Sequence, residues 1–177
     1  MKKEKLLLLS CCAPCSIGVI HDLHRQGINF TVLFYNPNIR PEAEYIRRRE
    51  ENKRICIDLN VPFIELDYNP KAWETATHGL ENEPERGKRC DACFFLRLKA
   101  AANYAKKKGF TRFSSVLGIS RYKDFDQVCR NAQKASEDIG IPYDFTNWRK
   151  NGGEERANKL AKEYNLYRQN YCGCKPR

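Results

Sequence analysis

The sequence lacks an apolar run long enough to cross a membrane. The leucines at 6–9 make a run of four, and no stretch approaches the about 18–20 residues of a spanning helix. The basic opening Met1-Lys2-Lys3-Glu4-Lys5, the leucines and Ser10-Cys11 have the outline of a lipoprotein leader. Four apolar residues fall short of the about 7–15 such a leader needs, so a buried strand accounts for them better. The expected setting is soluble and cytoplasmic, where thiols stay reduced and free to ligate metal. Repeats, low-complexity segments and a domain boundary are also lacking, so one domain over 1–177 is expected. Histidine is scarce, at His21, His24 and His78 only. That is too few, and too scattered, to build a metal centre without other ligands.

Acidic residues are outnumbered. Lys plus Arg is 32 against 22 for Asp plus Glu, a net charge of +10. Such an excess suits a polyanionic partner, of which nucleic acid is the commonest, although a lysine-rich soluble surface gives the same balance. The basic run Arg47-Arg48-Arg49 with Lys53 and Arg54, and Lys106 to Lys108, are the candidate phosphate contacts. Tyr35, Tyr122 and Trp148 are candidates for stacking on an unpaired base.

Cysteine is abundant instead, with nine residues. An odd number cannot all pair within one chain. Seven fall in three clusters: Cys11, Cys12 and Cys15; Cys90 and Cys93; Cys172 and Cys174. The first two clusters each open a predicted helix, whose N-terminus favours the thiolate form that binds metal. A structural zinc staple needs only four ligands, and one cubane takes four at most. Seven thiols exceed either, which favours an iron–sulfur site with a second metal beside it or a redox dithiol such as Cys172 with Cys174. Adjacent Cys11 and Cys12 are not expected to point at one atom. Cys56 and Cys129 share helical spacing with apolar neighbours and are read as packing residues.

Strand-like and helix-like stretches alternate. Strands are predicted over 5–10, 29–35, 62–66 and 110–116. Helices are predicted over 16–26, 41–59, 91–108, 124–139 and 154–164, with a short one around Trp73. This alternation predicts an α/β fold, a parallel sheet with helices on both faces. Ligands in such sheets sit beyond the carboxyl ends of the strands. That rule puts the Cys11 to Cys15 loop, the Tyr35 to Asn38 turn, Asp67 and Ser115 to Ser120 on one rim.

Five motifs run in order along nearly the whole chain. They are Cys11-Cys12-Ala13-Pro14-Cys15, Phe34-Tyr35-Asn36-Pro37-Asn38-Ile39, Glu65-Leu66-Asp67-Tyr68, Arg89-Cys90-Asp91-Ala92-Cys93-Phe94 and Tyr167-Arg168-Gln169-Asn170-Tyr171-Cys172-Gly173-Cys174. With them the chain resembles the epoxyqueuosine reductase QueH family, the cobalamin-independent enzymes of the last step of queuosine synthesis. The resemblance implies a three-layer, adenine nucleotide hydrolase-like (HUP-type) fold and a 4Fe-4S cluster with an adjacent iron. It also implies epoxyqueuosine at the wobble position of tRNA as substrate and queuosine as product, with an electron donor that the sequence does not identify. On this footing Cys11, Cys12, Cys90 and Cys93 are expected to hold the cluster, and all seven clustered cysteines are metal-ligand candidates. Cys12, Cys15 and Asp67 are the catalytic candidates, Asp67 as iron ligand or proton source. Tyr35, Asn36, Asn38, Ser120 and Lys123 are the substrate-binding candidates, and a Cys172–Cys174 disulfide is expected in one redox state. The loop Ser120-Arg121-Tyr122-Lys123 departs from the family's usual Ser-Pro-His-Lys, so any role of that histidine is lost here. Two alternatives stand beside this reading. One is a cluster-dependent tRNA sulfur transferase, which would need a Gly- and Ser-rich phosphate loop where this chain has Cys-Cys-Ala-Pro-Cys. The other is a non-enzymatic, zinc-stapled RNA-binding module.

Overall fold

The computed structural model describes residues 4–175. Residues 1–3 of the basic opening weighed above against a leader lie outside them. Four strands, β1 (Leu6–Ser10), β2 (Phe30–Phe34), β3 (Phe63–Glu65) and β4 (Arg112–Ser115), form one parallel sheet in the order β3-β2-β1-β4. Leu6 to Leu9 are at most 1% exposed. A strand covered on both faces has no solvent side, which explains its unbroken leucines. Register is set by Leu8 opposite Val32 on one side and Ser114 on the other.

Helix α1 (Ala13–Arg25) follows β1, and α2 (Glu42–Asp58) follows β2. After β3 come α3 (Pro70–Ala76) and α4 (Lys88–Lys107), and after β4 come α5 (Phe125–Ile139) and α6 (Gly153–Glu163). Right-handed crossovers put α1 and α2 on one face and α4 on the other. The packing agrees: α1 contacts α2 and α6, while α4 contacts α5. The fold is therefore the three-layer α/β arrangement that the alternation predicts. Gly18 allows the close approach of α1 to α6, since a Cβ there would meet the Ala157 Cβ at 3.0 Å. No helix of the described residues is long and apolar enough to cross a membrane.

Two helix starts differ from the sequence expectation, and both matter to the site. Helix α1 begins at Ala13 rather than Ser16, with Cys12 as its N-cap and Pro14 in its first turn. Helix α4 begins at Lys88 rather than Asp91, with Gly87 as N-cap. Pro14 suits the first turn, where its missing N–H has no partner to lose. Chain order reverses between β1 and β4, so the carboxyl ends of these two strands are where a ligand crevice opens.

Candidate metal centre

Immediately past β1, Cys11, Cys12 and Cys15 bring their sulfurs within 4.8 Å of one another, a group able to hold a metal ion. Cys11 and Cys12 sulfurs lie 3.7 Å apart. The adjacent pair thus converges, contrary to the expectation from sequence. Cys11 sits in a bend, Cys12 is extended (φ −166°, ψ 160°), and the helix starting at Ala13 returns Cys15 to the same spot. Hydrogen bonding with Cys12 and Cys15, helped by Lys123 and Arg97, holds the Cys11 thiol well below its ordinary range. The same bonding with Cys11 pushes Cys12 up to about 12 and raises Cys15. One thiolate shared among three sulfurs is ready to exchange its remaining protons for a metal.

The second cluster lies on the first turns of α4. Cys90 and Cys93 are three apart and so share a face. Arg97 follows one turn later, buried, and its guanidinium faces the Cys93 sulfur at 3.9 Å. It also donates to the Asn36 side-chain oxygen, and Asn36 in turn donates to the Ser10 carbonyl at 2.9 Å. This chain of contacts ties α4 to the end of β1.

The third cluster arrives on the C-terminal tail, which is docked against α2. Arg48 is 3% exposed and ion-paired with Glu44 at 2.7 Å. It donates to the carbonyl oxygens of Cys172 at 2.9 Å and Tyr171 at 3.1 Å. The Arg40 N–H donates to the Gly173 carbonyl at 2.8 Å. Gly173 has φ +125°, and a Cβ there would meet Ile39 Cγ1 at 2.9 Å, so only glycine fits the bend between the two cysteines. Hydrogen bonding with Cys174 lowers the Cys172 thiol well below its usual range, with Lys123 and Arg97 adding to it.

These segments surround one cavity of about 650 Å³. Its wall includes Cys11, Cys12, Cys15, Cys90, Cys172 and Cys174, with Ser120 and Lys123 on the β4 side. Cys93 lies just behind, 7% exposed. Burial pulls the Lys123 ammonium down, but the thiolates of Cys172 and Cys11 outweigh it and hold the proton. Two arginines fix the loop that carries Ser120 and Lys123. Arg149 donates to the Gly118 and Ser120 carbonyls at 2.7 and 2.9 Å, and Arg86 to those of Arg121 and Tyr122 at 2.9 and 3.1 Å.

Residues 6–175 match the family model described as Epoxyqueuosine reductase QueH. The span includes all seven clustered cysteines. The chain belongs to the epoxyqueuosine reductase QueH family. It is 48% identical to the Histophilus somni protein named Epoxyqueuosine reductase QueH, over 97% of this chain and 71% of that one. It is 49% identical to the protein of that name from Haemophilus influenzae, over 97% of this chain and 70% of the relative. The namesake from Thermotoga maritima is 35% identical over 96% of this chain and 88% of its own length. A solved structure described as a predicted subunit of tRNA methyltransferase from Methanocaldococcus jannaschii shares the fold. It has a TM-score of 0.62 at 15% identity and covers 90% of this chain and 75% of that one.

Within this QueH chain the other sequence candidates separate. Ser120 and Lys123 line the cavity; Tyr35, Asn36, Asn38 and Asp67 do not. Asn36 and Asn38 are 1% exposed, and the Asn36 side chain bonds the Ser10 carbonyl and Arg97. Asp67 is exposed. It follows β3, the edge strand, which β2 separates from β1, so it stands away from the β1/β4 crevice. Cys56 is in the core, fully buried, whereas Cys129 is half-buried and outside it. Tyr35 and Trp148 pack against the core, while Tyr122 is 64% exposed at the cavity rim.

The arginines of the α2 run have partners within the protein, although only Arg48 is buried. Arg48 holds the tail, Arg49 pairs with Glu50 and Glu65, Arg54 pairs with Glu51, and Arg47 lies 3.3 Å over the Tyr167 ring. Lys106 and its neighbours end α4 about 25 Å from Cys90 along the helix axis. Sequence reasoning missed Arg97, although its place four residues after Cys93 puts it on the cysteine face of α4.

Proposed function

We propose that this QueH chain reduces epoxyqueuosine to queuosine at the wobble position of cytoplasmic tRNA, as one α/β domain with a cysteine-bearing tail, using a 4Fe-4S cluster and an adjacent iron. The observation that carries the reading is the convergence of three cysteine clusters, distant in sequence, on one cavity. The donor set fits such a centre: three sulfurs already lie within 4.8 Å, and further thiols face them from α4 and the tail. Removal of the epoxide oxygen as water takes two electrons and two protons. When bound, the cluster supplies low-potential electrons one at a time and the iron an open Lewis-acid position.

The protein's own residues then have distinct tasks. Cys11, Cys12, Cys90 and Cys93 would hold the cluster, and Cys15 would be available to the second iron. Cys172 and Cys174 form a dithiol; closing to a disulfide releases two electrons and two protons, and an external donor of reducing equivalents must reopen it. Lys123 keeps its proton and points a cation into the cavity, where it can bind the substrate oxygen. Ser120 offers a hydroxyl on the same loop. Asp67 receives no role, since it stands outside the cavity. The RNA is held at the rim, where exposed Tyr122 offers a ring face and Arg121 a charge.

The test is anaerobic purification followed by turnover of tRNA containing epoxyqueuosine, with nucleoside analysis. Brown protein carrying iron and acid-labile sulfide, and forming queuosine, is the expected result. Full turnover by iron-depleted protein overturns the mechanism. A colourless protein with one zinc and no turnover instead favours the zinc-stapled RNA-binding module.

A further inference from the structure

Arg97 heads the fully buried side chains of the described residues, at 1% exposure. Arginine is rarely buried without an anion beside it, because an unpaired charge loses its hydration and gains nothing in return. Yet Arg97 has no carboxylate partner among the ion pairs of the described residues. Its N–H groups go to the neutral Asn36 side chain and toward the Cys93 sulfur, and its Nε has no partner. The guanidinium is aimed rather than free, because Asn36 is itself anchored on the Ser10 carbonyl, next to Cys11. The negative charge that would justify this burial lies in the cysteines around it. Cys93 is in contact at 3.9 Å, and Asn36 ties the guanidinium to the Ser10 carbonyl, one residue before the Cys11 cluster. Two further cations stand at the clustered cysteines, buried Arg89 and half-buried Lys123, and both line the open cavity. Arg97 does not line it.

We infer that Arg97 is a positioning residue for the metal centre: a fixed, solvent-free counter-cation that orients Cys93 and sets the reduction potential of the thiolate-held cluster. It acts through the centre and not on the substrate. A positive charge held nearby stabilises the reduced, more negative state of a cluster, and a dry setting leaves that attraction poorly screened. The inference rests on the iron–sulfur reading given above.

Two variants test it. Arg97→Gln removes the charge but keeps an amide donor for Asn36. Arg97→Lys keeps the charge and loses the planar fork. Reconstituted proteins are titrated with redox mediators while the reduced cluster is followed by electron paramagnetic resonance. For Arg97→Gln the ratio of reduced to oxidised cluster at a fixed potential is expected to fall at least tenfold, about 59 mV for a one-electron couple. For Arg97→Lys it is expected to stay within threefold of the parent. An unchanged potential in iron-loaded Arg97→Gln overturns the inference. If Arg97→Gln is folded by circular dichroism but takes up no iron, uptake by Arg97→Lys supports the charge role, and equal failure of both overturns it. Should Arg97→Gln not fold, the potential of Arg97→Lys decides: within threefold supports, a tenfold change overturns. Parent protein that carries zinc and no iron removes the underlying reading, a result distinct from any of these.

Discussion

The Arg48 guanidinium donates a 2.9 Å hydrogen bond to the carbonyl oxygen of Cys172, 124 residues further along the chain. That contact is one of those that bring the third cysteine cluster to the other two. Arg48 is also the partner of Glu44, and Glu44 accepts from the Tyr167 hydroxyl at 3.1 Å. Replacing Arg48 by Met would strand a buried carboxylate, which costs about 3–5 kcal/mol. Arg48→Lys retains the charge and loses the two-pronged donation to Tyr171 and Cys172. The expected outcome is a folded protein with a loosened tail. Trypsin should cut at Arg168 several-fold faster than in the parent, with the thermal midpoint changed far less than in Arg48→Met. Limited proteolysis with mass spectrometry checks it.

Gly173 supplies a second, independent hold on the same segment. At φ +125° an L-residue is strained, and its Cβ would press on Ile39 at 2.9 Å. The loss for Gly173→Ala is expected to be about 1–3 kcal/mol, but it falls on tail docking, since the tail is a terminal element. Activity should drop at least tenfold while denaturant unfolding of the body moves little. Hydrogen exchange of the Arg40 amide, which donates to the Gly173 carbonyl, should quicken in parallel.

Much of this arrangement was readable beforehand. The continuous leucines of β1, the charged α2 and the alanine-rich α4 have local patterns that tertiary packing does not contradict, so their order and the parallel sheet follow. The three cysteine clusters announced themselves by spacing. What local pattern does not carry is the strand order. It puts β3 and Asp67 at the far edge and β4 with Ser120 and Lys123 beside β1. The carboxyl ends of all the strands form one rim, but only the β1/β4 gap opens into the cavity. The α2 arginines show a second kind of loss. Their charge reads as solvent-facing until the tail, more than a hundred residues later, covers Arg48. The convergence of Cys11 with Cys12 depended on backbone dihedrals at a helix cap, which composition does not reveal.

Cys56 gives a pH prediction that leaves the metal centre untouched. It is fully buried, and burial alone pushes its thiol up to about 12. In the unfolded chain a cysteine ionises near ~8.5. The folded form therefore binds a proton that the unfolded form gives up as pH rises. The contribution is complete below ~8.5, and it is lost progressively as pH climbs toward 12. At pH 10, roughly 1.5 units above the unfolded value, the loss is about 2 kcal/mol. Cys56→Ala should be less stable than the parent at pH 8, from the missing sulfur, yet should lose about 2 kcal/mol less between pH 8 and pH 10. Urea denaturation of both proteins at the two pH values measures the difference. Equal losses in both would place the alkaline instability elsewhere.

Tyr122 stands at the rim of the cavity, and Arg121, exposed, precedes it on the same loop. Tyr122 is 64% exposed, and its carbonyl is pinned by Arg86, so the ring rides on a fixed backbone. Base stacking on such a ring is worth about 1–3 kcal/mol. Tyr122→Ala is expected to weaken binding of an anticodon stem-loop by roughly 5- to 150-fold on that scale, and Tyr122→Phe to leave it near the parent value. Arg121→Ala should lower the slope of log affinity against log salt by about 0.7, the share of one single-stranded phosphate contact. Arg49→Ala should leave the slope unchanged, because Arg49 is already paired with Glu50 and Glu65. Fluorescence anisotropy of the labelled stem-loop across a salt series reads all four variants. A slope that fell for Arg49→Ala and not for Arg121→Ala would move the RNA from the cavity rim to the face of α2.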